Sequence, residues 1–144
     1  MRIIPCFILL VVLQSNVVAQ DWIKYYGQGQ KAVCRSITND YDKGLVIGGM
    51  INNYTYSWII KTDINGNIIW DKRFGNGEYS CGLENTEKTS DGGYIICGTW
   101  QKEDPDFDVF ILKLNACAEI EWCKTLYTPG HYELCGKVKQ TPEG

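Results

Sequence analysis

The chain has 144 residues, 44% hydrophobic and 22% charged, with a formal net charge of −3. That balance belongs to a globular chain rather than a disordered one, and the length fits one domain. No Lys/Arg cluster is present to meet phosphates, which excludes the nucleic-acid-binding class.

Residues 1–19 read as a signal peptide. Met1-Arg2 gives a short positive start, Ile3 to Leu13 an apolar run, and Val17-Val18-Ala19 a site for cleavage before Gln20. The apolar run is too short to cross the roughly 30 Å hydrocarbon layer as a helix. The mature chain is therefore expected to be secreted or at the cell surface, without a membrane span. Of the 7 cysteines, Cys6 leaves with the leader. An oxidising compartment allows the rest to pair, with connectivity left open by sequence. Cys117 and Cys123 flank a predicted hairpin and are the expected disulfide. Cys34, Cys81 and Cys135 sit at equivalent places in successive repeats and are expected as small buried hydrophobes.

The repeats are marked by tryptophan. Trp22-Ile23-Lys24, Trp70-Asp71-Lys72 and Trp122-Cys123-Lys124 are one phrase written three times, each followed by Tyr26, Phe74 or Leu126. Such spacing is that of propellers and arrays. Asp21 to Tyr26 reads as a strand of the fourth type, ahead of any complete unit. Within each unit, turn signals separate four short segments. The first is about Ala32 to Thr38, then Ser80 to Thr89, then Leu134 to Thr141. A turn follows at Asp42-Lys43-Gly44 or Asp91-Gly92-Gly93, where glycine is expected to supply positive φ. The second segment, Leu45 to Gly49 or Tyr94 to Trp100, is almost continuously apolar and suits a strand covered on both faces. The third is Ser57 to Thr62, matched by Val109 to Leu114. Asn65-Gly66 then signals a tight hairpin. The fourth is Asn67 to Phe74, matched by Glu119 to Leu126, with Ile68, Trp70 and Lys72 expected on one face, as are Ile120, Trp122 and Lys124.

Four strands per unit of about 50 residues is the pattern of a β-propeller blade. The expected fold is all-β, a propeller-like array of four-stranded antiparallel blades. Its parts are the strand at 21–26, a first blade over about 32–74, a second over about 80–126 and the start of a third over about 132–144. Two blades with flanking strands make a partial arc, so the chain is expected to be an N-terminal fragment of a longer protein. The missing C-terminal blades of that protein would be its first partner.

These residues resemble the repeated propeller units of large secreted proteins from Bacteroidetes-type bacteria. Thr89, Asp91, Gly92, Gly93 and Tyr94 carry the resemblance in the second unit. Lys61, Thr62, Asp63, Asn65, Gly66, Asn67, Trp70 and Lys72 carry it in the first. The resemblance implies export, often with a C-terminal sorting domain for type IX secretion, and it implies no particular activity. The second unit departs from the pattern, with Asn115-Ala116-Cys117-Ala118 in place of the asparagine-glycine turn. A Cys117–Cys123 bond would compensate there.

Few residues suggest chemistry. Glu103, Asp104, Asp106 and Asp108 form an acidic loop around Pro105, and Asp104, Asp106 and Asp108 are weak candidates for oxygen ligands to calcium. Asp63, Asn65 and Asn67 open like a calcium loop, but Ile68 and Phe74 stand where that loop needs glycine and glutamate. His131, the only histidine, has no nucleophile nominated beside it. Asn53-Tyr54-Thr55 is a formal glycosylation acceptor. No cofactor motif occurs. The expected function is a non-catalytic module for binding or scaffolding, recognising an extracellular glycan or protein through loops such as Met50 to Tyr56. The alternative is the propeller of a larger secreted enzyme, for instance a glycan-active hydrolase, or of a sensor ectodomain.

Overall fold

The computed structural model describes residues 23–101 and 106–144. Eight strands and no helix occur among them: β1 (Ala32–Asn39), β2 (Leu45–Ile51), β3 (Tyr56–Thr62), β4 (Ile68–Phe74), β5 (Cys81–Lys88), β6 (Tyr94–Gln101), β7 (Phe107–Leu114) and β8 (Ile120–Leu126). They form two four-stranded antiparallel sheets, ordered β1-β2-β3-β4 and β5-β6-β7-β8. The eight segments expected from turn spacing are these eight strands. Every connection inside a sheet is a hairpin, the arrangement that short turns between adjacent strands impose.

The sheets copy each other down to their irregularities. β1 bulges between Cys34 and Ser36, and β5 between Leu83 and Asn85. The β3–β4 ladder shifts between Lys61 and Thr62, and the β7–β8 ladder between Lys113 and Leu114. That second shift corrects one expectation. Directly paired residues share a face, and Trp70 pairs with Lys61 while Ile68 pairs with Thr62. Ile68 therefore lies on the face opposite Trp70. The extra residue, Ile69, reverses the alternation. Ile120 and Trp122 are separated in the same way.

The main core lies between the sheets. Val46 and Ile59, with Trp70 and Phe74 alongside, meet Leu83, Tyr94, Ile96, Phe110, Leu112 and Leu114. A smaller cluster, Ile51, Trp58 and Ile60, covers the other face of the first sheet and receives Tyr26. Tyr26 and Phe74 are the same position of the repeated phrase, so each sheet is packed on its equivalent face by the aromatic residue that precedes it in the chain.

The two predicted flanking strands form no ladder among the described residues. The signal peptide, Asp21 and Trp22 lie outside the described residues, and Ile23–Tyr26 carry no ladder. Residues 132–144 also carry none. They lie against the second sheet through isolated bonds. Among the described residues no helix is long and apolar enough to cross a membrane.

Candidate functional site

The repeated motif residues converge on one arrangement at the edge of the sheet junction. Lys61 extends from β3 to the β1–β2 turn, where its amine bonds Asp40 and, at 2.9 Å, Asp42. Asp42 also accepts from Gly44 N at 3.0 Å, which shapes the turn. The Asp40 side chain is 0% exposed and that of Lys61 15%. From the second sheet, the Tyr94 hydroxyl donates to Asp40 Oδ2 at 2.9 Å. Trp70 stands edge-on to the Tyr94 ring, with centroids 5.8 Å apart. Burying a charge pair is costly unless its remaining valences are met; the next unit's tyrosine adds a bond to the oxygen that Lys61 holds, while Asp40 Oδ1 has no partner among the described residues.

The second unit repeats the clamp with altered parts. Lys113 bonds Asp91 at 2.8 Å and Glu121 at 2.9 Å. Asp91 accepts from Gly93 N at 3.0 Å, as Asp42 does from Gly44. Thr89 stands where the first unit has Asp40, and its hydroxyl donates to Asp91 at 2.5 Å. Each lysine thus keeps two carboxylates, the second coming from β8 in this unit.

The electrostatics follow. Burial works against the charged Lys61 amine, but its bonds to Asp40 and Asp42 outweigh burial and hold it above its ordinary value. Lys113 is raised in the same way by Asp91 and Glu121, again against burial. The Lys61 amine lowers Asp42, and the Lys113 amine lowers Asp91. Burial, with Asp40 next, pushes Tyr94 up to about 12.

The turn glycines play a different part from the expected one. Positive φ falls on Lys43 (68°) and Gly92 (85°), not on Gly44 and Gly93. Those two are needed for close approach instead. A Cβ on Gly44 would run into the Thr62 carbonyl oxygen, and one on Gly93 into that of Leu114. Gly66 has the positive φ its hairpin needs (75°), and Ala118 takes the same role at 59°.

Other expected sites disperse. Asp104 lies outside the described residues, as do Glu103 and Pro105. Asp108 is buried within β7, and Asp106 precedes the strand. No group of three or more metal-ligating side chains occurs among the described residues. Cys117 and Cys123 are both free thiols. Cys117 sits in the turn and donates its N–H to Asn115 Oδ1 at 2.9 Å. Cys123 lies on β8 opposite Leu112, beyond the Ile120–Leu114 pair that closes the hairpin. At a rise of about 3.3 Å per residue, that offset removes the two sulfurs from bonding reach. Cys81 is buried as expected, whereas Cys34 is exposed and Cys135 half-buried.

Two features were not visible in the sequence. Beside Phe74 an apolar groove of about 690 Å³ opens between the sheets, lined by Tyr79, Trp100, Phe110, Leu112 and Ile120. Asn52, Asn53 and Tyr54 take three successive positive φ values, 55°, 56° and 71°. Lys31 lies 4.7 Å from the Tyr54 ring centroid, and Tyr54 O accepts from Cys81 N at 2.9 Å. This strained loop therefore ties the first sheet to the second. The chain matches no protein-family model and none of the curated proteins with which it was compared.

Proposed function

We propose that the chain is part of a secreted or cell-surface β-propeller, a non-catalytic repeat module that binds or scaffolds through its loops. The observation that carries this reading is the clamp bridging two units. Tyr94 and Trp70 link the second sheet to the Asp40–Lys61 pair of the first, using the residues that define the repeat. Side chains spent on joining neighbours are the mark of an array in which each sheet hides its apolar face on a sibling. A further copy of the unit would cover the outer face of the second sheet, where Trp122 is 39% exposed and Leu126 is exposed.

The loops are left for recognition. Tyr54 and the exposed Asn53 stand on the strained β2–β3 loop, offering a ring and amides of the kind that extracellular glycans or proteins meet. Export follows from the leader at 1–19, with the mature chain starting at Gln20. The test uses the full secreted protein on an array of glycans and extracellular proteins. The reading expects capture of one ligand class, lost in Tyr54→Ala without loss of folding. A blank across the panel, with release of sugar from any glycan, would replace it with the enzyme alternative. N-terminal sequencing of the exported protein checks the cleavage site.

A further inference from the structure

The first junction has a partial copy at the far side of the second sheet. Between the sheets, Ser36 Oγ accepts from Thr86 N at 3.1 Å, and Cys81 N donates to Tyr54 O at 2.9 Å. Beyond the second sheet, Asn85 Oδ1 accepts from Val138 N at 3.1 Å, and Glu133 N donates to Phe107 O at 2.9 Å. Ser36 and Asn85 each follow the bulge in their strand and pair with Gly48 and Cys97 respectively. Thr86 N and Val138 N donate the equivalent bonds, so the counterpart of Cys135 is Leu83, each three residues earlier in the chain, and not Cys81 as the repeat spacing suggested.

At the first junction these two places touch. A Cβ added to Gly48 would lie 2.5 Å from Leu83 Cδ2. At the second, the glycine–leucine pair is replaced by Cys97 and Cys135, whose thiols are near enough for each to shift the titration of the other. The repeat register and the thiol contact therefore agree on the same two sulfurs. We propose that Cys97 and Cys135 are a disulfide-forming pair, which fastens the segment after β8 covalently to the second sheet.

Both are free thiols in this structure. Closing the bond brings the two sulfurs to about 2.0 Å. Residues 132–144, held by isolated bonds rather than a ladder, can supply the approach. The oxidant is an external disulfide of the glutathione class. Cys135, the more exposed, attacks it as the thiolate, forming a mixed disulfide and releasing one thiol. Cys97 then attacks the Cys135 sulfur, forming the internal bond and releasing the second thiol. Two protein thiols are oxidised, one external disulfide is reduced, and the two protons leave on the released thiols.

The test is a non-reducing peptide map of the chain after incubation with oxidised glutathione and alkylation. Trypsin places Cys97 in peptide 89–102, Cys135 in 125–137, and Cys117 with Cys123 in 114–124. The expected product is 89–102 joined to 125–137 and parted by reductant. The inference is overturned if the two are recovered separately alkylated, if Cys135 stops at a glutathione adduct, or if either joins peptide 32–35, 74–88 or 114–124. As a second measurement, oxidation should raise the Tm of the natural chain and leave that of Cys97→Ser unchanged. An equal rise in both would also overturn it.

Discussion

Asp40 and Asp91 serve equivalent lysines in very different surroundings. The Asp40 side chain is fully buried, whereas those of Asp91 and Glu121 are about half exposed, at 51% and 42%. Removing the amine from a buried carboxylate leaves an uncompensated charge, at about 3–5 kcal/mol; removing it from exposed ones costs about 1 kcal/mol or less. Lys61→Met is therefore expected to lower urea-unfolding stability several times more than Lys113→Met, and equal losses would refute this account of the clamp. The pH dependence has two limbs. Asp42 and Asp91 have depressed folded values, so their contribution is full above the ordinary carboxylate range and is lost as pH falls below that range through their depressed values. Lys61, Lys113 and Tyr94 are raised, so theirs is full below about pH 10 and fades above it, Tyr94 titrating near 12. Thermal melts across pH should show a plateau between the limbs, and Tyr94→Phe should shorten the alkaline decline.

The hairpins show what pattern reading can and cannot see in an element. Asn65-Gly66 announces its turn, and the structure puts Gly66 at φ 75°. The matching turn has no glycine, yet it keeps the same shape because a side chain organises both. Asp63 Oδ1 accepts from Asn65 N and Asn67 N at 2.8 Å, and Asn115 Oδ1 accepts from Cys117 N and Glu119 N at 2.9 Å. A disulfide is not needed to hold it. Ala118 bears the left-handed conformation, a strain of about 1–2 kcal/mol, while its methyl is buried in the main core. Gly66→Ala should introduce that strain, lowering stability by about 1 kcal/mol. Ala118→Gly trades relief against a lost buried methyl of about 0.8 kcal/mol, and its unfolding midpoint should barely move. The ladder shifts at Lys61/Thr62 and Lys113/Leu114 were illegible for a related reason. An extra residue leaves the apolar composition of β4 and β8 unchanged, so Ile68 and Ile120 read as facing with Trp70 and Trp122 when they do not.

Across the whole molecule, the two-sheet plan was legible because each unit announces itself by tryptophan, lysine and a glycine turn at matched places. The joint between units was not, because Tyr94 reads as a strand residue and Asp40 as a turn residue until the fold brings them to 2.9 Å. The same joint yields a comparison of Trp70 with Trp122. Trp70 packs against Tyr94 and the main core, so Trp70→Ala should cost about 3 kcal/mol or more. Trp122 is its counterpart on the second sheet but is 39% exposed, covered on one side by Lys124, 5.4 Å from the ring centroid. In this chain Trp122→Ala should cost about 1 kcal/mol or less, as partly exposed positions usually do. If a further copy of the unit packs on that face, extending the chain by one unit should raise the cost of Trp122→Ala towards that of Trp70→Ala. Chemical unfolding of the short and extended chains, each with and without the substitution, measures the difference. A cost that stays small after extension would show that the outer face of the second sheet is not where a following unit binds, and the array reading would fail with it.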